Sequence, residues 1–179
     1  LSPAIPLMQQ ELGDMHTNTL SAMNNLALAY GKDGKYSKEA NLLEEVYPLL
    51  QSTLGSEHPV TLTALCNLAL AYGRCGNYSK EVELMDTVYH IRCNTLGKEP
   101  PDTLVSLNNL AIAHGHLGKH DTEIELLEQA LILRRNVLGV AHPNTSSSLN
   151  SLGLAHVHAG NTRKAIKLLE MTYTLRCTV

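Results

Sequence analysis

The sequence contains no tryptophan and no phenylalanine, so tyrosine is its only large aromatic residue. Without such rings the core must be built mainly from leucine and alanine, which suits closely packed helices. Apolar runs such as residues 26–30 are far shorter than the ~20 residues that a membrane-spanning helix needs. No signal-peptide pattern opens the chain. The net charge of −3 indicates neither a nucleic-acid partner nor an anionic membrane.

Motifs that carry catalysis are missing as well. The chain has no glycine-rich phosphate loop. Serines 146–148 lack the Gly-x-Ser-x-Gly context of a hydrolase nucleophile. We therefore expect a protein that is not an enzyme and that needs no cofactor.

A strict 42-residue repeat is the most prominent feature that the sequence does have. Leu-Gly recurs at positions 12–13, 54–55, 96–97 and 138–139, with no insertion or deletion. Other columns agree in the same register, among them Thr19, Thr61, Thr103 and Thr145, Leu26, Leu68, Leu110 and Leu152, and Gly34, Gly76, Gly118 and Gly160. Self-similarity at such a period is typical of a solenoid.

The register divides the chain into four repeats and one fragment. Repeats 1 to 4 are predicted at residues 12–53, 54–95, 96–137 and 138–179, and residues 1–11 are predicted to be the end of a preceding second helix. The sequence is thus interpreted as an excerpt from a longer array. We also expect that its uncapped ends allow self-association, because solenoids usually need polar capping repeats.

Each repeat is predicted to contain two helices of about 16 residues. The first begins after a proline such as Pro59, which suits the first helical position because it lacks an N–H. It ends near Gly76, where a tight turn needs positive φ. Ser37, Ser79 and Asp121 are predicted N-caps of the second helix. Neither helix can bury its apolar face alone, so the hairpins must stack.

The four cysteines are predicted to be free thiols. Cys93 and Cys177 occupy the same position two repeats apart, which a solenoid would hold roughly 20 Å from each other. Cys66 and Cys75 lie about 13 Å apart at helical rise. Free thiols favour a reducing compartment, so we expect the protein to be cytoplasmic.

Residues 65–72, LCNLALAY, followed by Gly76-Asn77-Tyr78, resemble the tetratricopeptide repeat signature. The repeat length, the Leu-Gly-x-x-His-Pro-x-Thr linker and the Asn-Asn-Leu-Ala start are similar to the kinesin light chain type of repeat. The resemblance implies an all-α fold, a right-handed superhelix of stacked hairpins. It implies a non-catalytic scaffold or adaptor that binds extended peptide segments of other proteins. The alternative is the ligand-sensing array of a STAND-type NTPase, in which the same subtype occurs.

The resemblance also implies a binding face on the first helix of each repeat. Spacings of three and four residues keep one polar, one apolar and one basic position together on that face. The predicted peptide-binding residues are Asn25, Asn67 and Asn109, Leu28, Leu70 and Ile112, and Lys32, Arg74 and His116. An asparagine amide can donate to and accept from a peptide backbone, and the basic row could attract acidic groups. In the alternative interpretation the asparagines bond within the scaffold and the basic residues are solvated helix ends.

One column departs from the family pattern. Glu39, Glu81 and Glu123 stand where the family usually has alanine, and only Ala165 conforms. A glutamate in the first turn is favoured by the helix dipole, so we expect these side chains to lean outward and the hairpins to pack less tightly.

The nine histidines do not suggest a metal site. His114 and His116, and likewise His156 and His158, are two residues apart and point to different sides of a helix. Equivalent residues of adjacent repeats are about 10 Å apart, whereas zinc needs ligands near 2.1 Å. His114 and His156 are therefore predicted to be packing residues, and the linker residues His58 and His142 are predicted to cap or pack.

Overall fold

The computed structural model describes Gly13 and residues 16–177, with side chains as far as Leu175. This part of the chain contains eight α-helices and no strand. The helices are α1 (Thr17–Lys32), α2 (Tyr36–Leu54), α3 (Pro59–Arg74), α4 (Tyr78–Leu96), α5 (Pro101–His116), α6 (His120–Leu138), α7 (Pro143–His158) and α8 (Thr162–Cys177). None of these helices is long and apolar enough to cross a membrane.

The chain divides within α4 into two compact units, one ending at Leu84 and the other beginning at Met85. In the first unit, α1 packs against α2 and α2 packs against α3. In the second unit, α5 packs against α6, α6 against α7 and α7 against α8. The all-α class and the stacking of consecutive helices, both predicted from the repeat, are confirmed.

Histidine side chains cap the N-termini of α1, α3 and α7. Nδ1 of His58 accepts the N–H of Val60 at 3.2 Å, and Nδ1 of His142 accepts the N–H of Asn144 at 3.1 Å. His16 accepts from Asn18 in the same way. The prediction that His58 and His142 act as caps is therefore confirmed.

Removing this cap should cost a typical capping energy. We expect His58→Ala to lower the free energy of unfolding by about 1 kcal/mol, because an N–H at the start of α3 loses its acceptor. His58→Asn should restore most of that loss, since asparagine is a strong N-cap. Urea unfolding followed by circular dichroism measures both. Glu57→Ala, at an exposed neighbouring position, is the matched control, and an equal loss in that control would remove the capping explanation.

The second helices differ in detail from the prediction. α2, α4 and α6 each have 19 residues instead of about 16. They begin at Tyr36, Tyr78 and His120, one residue before the predicted caps, so the assignment of Ser37, Ser79 and Asp121 as N-caps is wrong. Lys35 and Lys119 occupy the cap positions of α2 and α6 without a side-chain bond. At α4, Asn77 Oδ1 accepts the N–H of Lys80 at 3.4 Å.

The turn within each hairpin depends on glycine, as the sequence predicts. Gly76 has φ +80°, a conformation that other residues rarely adopt. The N–H of Asn77 then donates to the carbonyl of Tyr72 at 2.9 Å, which closes the end of α3.

Leucine and alanine dominate the core, as the lack of large rings requires. In the first unit, two adjoining clusters consist of Leu20, Met23, Val46, Leu50 and Ala64, and of Ala27, Ala40, Leu43, Leu68 and Ala71. In the second unit, the cluster consists of Ala111, Leu127, Leu131, Leu149, Leu152 and Ala155. His156 is 3% exposed and His114 is half-buried, which confirms their packing role. Cys66, Cys75 and Cys93 form no disulfide among the described residues, while the side chain of Cys177 lies outside them.

The glutamate column is buried, so the prediction that these side chains lean outward is wrong. Glu39, Glu81 and Glu123 are 0%, 2% and 5% exposed. Each carboxyl lies against a glycine in the last turn of the preceding helix, where a Cβ would overlap it. The pairs are Gly31–Glu39, Gly73–Glu81 and Gly115–Glu123. The missing glycine side chain provides the space for the carboxylate, so the hairpin packs tightly here.

The fourth repeat changes both members of this pair. Val157 replaces the glycine, and the buried Ala165 replaces the glutamate. A larger residue on the first helix thus accompanies a smaller residue on the second. This internal covariation supports direct contact between the two columns.

Candidate functional site

The first unit presents part of the predicted binding face on α1 and α3. Asn25 is exposed, while Asn67, Leu28 and Leu70 are half-buried on the same two helices. The half-buried leucines give this face apolar surface beside the amides. The spacing of three residues places Asn25 beside Leu28 on α1 and Asn67 beside Leu70 on α3.

A cleft of about 250 Å³ lies on this face. The polar side chains around it are Ser21, Asn24, Asn25 and Thr63, and Leu50, Pro59 and Val60 supply its apolar surface. Val60 is 42% exposed, although it is a large hydrophobic residue. Amides and hydroxyls beside apolar side chains can bind a peptide backbone and hold one of its side chains.

Asn67 also contributes to the scaffold. Its Nδ2 donates to Asn24 Oδ1 at 3.3 Å, which links α3 to α1. The carbonyl oxygen of the same amide can accept hydrogen bonds from a further partner. A substitution of Asn67 would therefore disturb the scaffold as well as any ligand contact.

The basic row is partly engaged within the scaffold. The Arg74 guanidinium forms an ion pair and hydrogen bond with the buried carboxylate of Glu39 in the preceding repeat. The side chain of Arg74 is still 39% exposed. Lys32 is exposed at the end of α1. The positive charge of this row in the first unit thus comes from Lys32 and from an arginine that already neutralises an internal acid.

A second polar group in the first unit is centred on Tyr72. The Tyr72 hydroxyl bonds with the carboxylate of Glu44, and Lys80 Nζ lies 3.2 Å from the same hydroxyl. Burial and the Glu44 hydrogen bond raise the pKa of Tyr72, and the Lys80 hydrogen bond opposes them. The hydroxyl therefore stays protonated at neutral pH.

In the second unit, α5 carries the equivalent positions. Asn109 and Ile112 are half-buried and His116 is exposed. The adjacent Asn108 has a buried Oδ1 with no hydrogen-bond partner among the residues that the structure describes. Nearby, burial lowers the pKa of His114, Lys119 lowers it further, and Asp86 opposes them. His114 is therefore neutral at physiological pH and carries no charge to a ligand.

Sequence reasoning missed two arginines that join neighbouring repeats in the second unit. Arg134 is 5% exposed and donates to the carbonyls of Leu104 and Asn144 at 3.1 Å, and to Ser148 Oγ at 2.6 Å. Arg92 donates to Ser106 Oγ at 2.7 Å. Burial lowers the pKa of Arg134, which nevertheless remains charged.

A signal for these arginines is present in the sequence. The Arg92–Ser106 and Arg134–Ser148 pairs both join positions 14 residues apart. In the first unit, Leu50 and Ala64 occupy the same two columns and pack in one apolar cluster. The two columns thus change together: where the first column has arginine the second has serine, and where the first has leucine the second has alanine.

Sequence reasoning also missed a group of three side chains at the start of α6 and the end of α7. His120 Nδ1 is 3.2 Å from Glu123 Oε2. The ring of His158 lies beside that of His120, with 5.8 Å between centroids. One ligand atom from each of His120, Glu123 and His158 lies within 4.8 Å of the other two.

The eight described helices, and the cleft beside α1 and α3, define a helical repeat protein with an accessible face on its first helices. Tetratricopeptide repeat models match residues 19–60 and 61–102, and another tetratricopeptide repeat model matches residues 102–178. Comparison with curated protein sequences gives no significant match.

Solved structures supply relatives of known fold. Two structures of a candidate kinesin light chain from Podosopora anserina, with nearly identical TPR-like repeats, are each 32% identical to this chain. They cover 97% of this chain and 82% of their own, with TM-scores of 0.86 for a form that carries a substitution and 0.84 for the other. BtubC (BKLC) from P. vanneervenii is 19% identical, covers 89% of this chain and 64% of its own, and shares the fold with a TM-score of 0.77.

The chain belongs to the tetratricopeptide repeat family and groups with its kinesin light chain-like members. The family resemblance found in the repeat is therefore confirmed. Repeats of this family generally mediate protein–protein interactions. The division into repeats at residues 12–53, 54–95, 96–137 and 138–179 stays a prediction.

Proposed function

We propose that the chain is a non-catalytic, cytoplasmic adaptor that binds extended peptide segments of other proteins on the face formed by its first helices. The observation that carries the proposal is the cleft beside α1 and α3, whose lining combines two asparagines and two hydroxyls with the apolar residues Leu50, Pro59 and Val60. An extended segment offers backbone N–H and C=O groups that such amides can bind. The lack of a disulfide among the described cysteines supports the cytoplasmic part of the proposal, and the family supports the non-catalytic part.

Within the first unit, Asn25 is proposed to bind the peptide backbone, and Leu28 and Leu70 to hold an apolar side chain. Asn25 is exposed beside the cleft. Asn67 is proposed to contact the peptide with its carbonyl oxygen while its N–H binds Asn24. Lys32 and the accessible part of Arg74 favour an acidic residue in the peptide.

In the second unit, the same roles are proposed for Asn109, Ile112 and His116. Ser151 replaces the asparagine in the fourth repeat. The proposed binding surface is therefore confined to the first three repeats.

Asn25 gives the sharpest test, because it is exposed and Asn67 is tied to the scaffold. Peptides are selected from a random display library against the chain, and their affinities are measured by fluorescence polarisation. We expect Asn25→Ala to weaken binding about tenfold, as the loss of a hydrogen bond worth about 1.4 kcal/mol would do. Lys32→Glu should weaken acidic peptides further.

The matched control is Asn41→Ala, which removes an exposed asparagine from α2 instead of α1. It should leave both affinity and melting temperature unchanged. Equal affinities for the wild type and Asn25→Ala, or a larger loss in Asn41→Ala, would contradict the proposed face.

A further inference from the structure

We propose that His120, Glu123 and His158 form a binding site for a divalent transition-metal ion, with zinc as the reference case. His120 and Glu123 lie in the first turn of α6, and His158 is the last residue of α7. Two imidazoles and one carboxylate are a ligand set that zinc uses in proteins, with water at the fourth position. None of the three is among the proposed peptide-binding residues, although His158 stands in the same repeat column as Arg74 and His116.

The geometry is already close to what a metal requires. Bonds of about 2.0–2.1 Å in a tetrahedron place neighbouring ligand atoms about 3.4 Å apart. His120 Nδ1 and Glu123 Oε2 are separated by 3.2 Å. All three ligand atoms lie within 4.8 Å of one another. His158 is exposed and stands at a helix end, so a side-chain rotation can provide the remaining movement of about 1.4 Å.

The electrostatics favour a cation at this position. The Glu123 side chain is 6% exposed, and a buried carboxylate is costly unless a positive charge compensates it. A divalent ion bound by the carboxylate would supply that charge and use the nitrogen lone pairs of both rings.

The first unit shows how the same columns are arranged without such a ligand set. There Tyr36, Glu39 and Arg74 occupy the positions of His120, Glu123 and His158. The Arg74 guanidinium pairs with the buried Glu39 carboxylate. In the second unit a histidine replaces the arginine, and a second histidine replaces the tyrosine. The second unit thus has two histidines, which can ligate a metal, beside Glu123, whereas the first unit has an arginine beside the equivalent Glu39.

A metal at this site would join two repeats. It would connect the start of α6 in repeat 3 to the end of α7 in repeat 4. Ions that bind only the folded state stabilise it in proportion to the logarithm of their concentration. Metal binding should therefore tighten the packing of the fourth repeat against the third.

The test uses the chain after removal of metals with a chelator. Zinc should raise the melting temperature by about 5–10 °C at a hundredfold excess over its dissociation constant. Titration calorimetry should give one ion per chain. Cobalt(II) should produce the visible absorption of a low-symmetry site with nitrogen and oxygen ligands. A cobalt–thiolate charge-transfer band would instead assign the ion to cysteines and overturn the proposal.

His158→Arg is the decisive variant, because it installs the arginine that pairs with glutamate in the first unit and should therefore fold. It should abolish the zinc-induced shift without lowering the melting temperature of the metal-free protein. His120→Ala should abolish the shift as well. His90→Ala, which removes a 65% exposed histidine on α4, should retain it. Persistence of the shift and of one bound ion in His158→Arg, or the absence of any shift in the wild type, would overturn the proposal.

Discussion

Replacing Arg134 with alanine should lower the free energy of unfolding by about 3 kcal/mol. The guanidinium is buried and donates to Leu104, Asn144 and Ser148. Hydrogen bonds from a charged group contribute about 1.5–3 kcal/mol, and the vacated volume adds a cavity cost. Circular dichroism during urea unfolding is the suitable measurement, because the chain has no tryptophan to report by fluorescence.

A double substitution tests the reason for that loss. Arg134→Leu with Ser148→Ala reproduces the apolar Leu50–Ala64 pair of the first unit. Since buried ionic groups can be replaced by well-packed apolar groups with little loss, the double variant should be within about 1 kcal/mol of the wild type. Arg135→Ala, at the exposed neighbouring position, is the control and should have little effect. A double variant as unstable as Arg134→Ala would show that the two columns are not coupled.

Replacing Gly31 with valine should lower the free energy of unfolding by about 3 kcal/mol. A side chain at this position overlaps the Glu39 carboxyl, which is fully buried and paired with Arg74. Overpacking of this kind costs about 1–3 kcal/mol, and displacement of the paired carboxylate adds to it. Thermal and urea unfolding of the single variant measure the loss.

Gly31→Val combined with Glu39→Ala should recover most of that stability. The combination reproduces Val157 and Ala165 of the fourth repeat. It leaves Arg74 without its acid, but the arginine is 39% exposed, so the cost is small. The double-mutant cycle should therefore give a coupling of about 2 kcal/mol. Additive losses would contradict the contact between the two columns.

The repeat made much of the fold predictable. The Leu-Gly columns keep a constant spacing. A helical hairpin that is predicted for one repeat is therefore predicted for all four. The linker histidines and the glycine turns followed from helix capping and from positive φ, which are local properties. Local physics was sufficient for these caps and turns, but it placed the N-caps of the second helices at Ser37, Ser79 and Asp121, one residue after the helices begin.

The glutamate column shows where that reasoning failed. The helix-dipole argument considers only the first turn of α2. The Glu39 carboxyl is buried because Gly31, on the preceding helix, has no side chain and leaves space for it. The correlated change to Val157 and Ala165 was present in the sequence. Comparing pairs of columns, rather than single columns, would have revealed it.

The candidate sites were predictable to a lesser degree. The asparagine face follows from the family pattern, but the bond from Asn67 to Asn24 depends on how α3 lies against α1. The histidine group combines two residues of one helix with a third from the next hairpin. A comparison of histidines within one helix could not predict this group, because His120 and His158 come together only when α6 packs against α7.

The proposed binding of a partner peptide to the first-helix face can be mapped by photo-crosslinking. A selected peptide that carries a benzophenone is crosslinked to the chain, and mass spectrometry identifies the crosslinked residues in the first unit. Crosslinks should concentrate on α1 and α3, at or beside Asn25, Leu28 and Thr63. Crosslinks concentrated on the exposed side of α2, at Asn41, Glu44 and Glu45, would contradict the account.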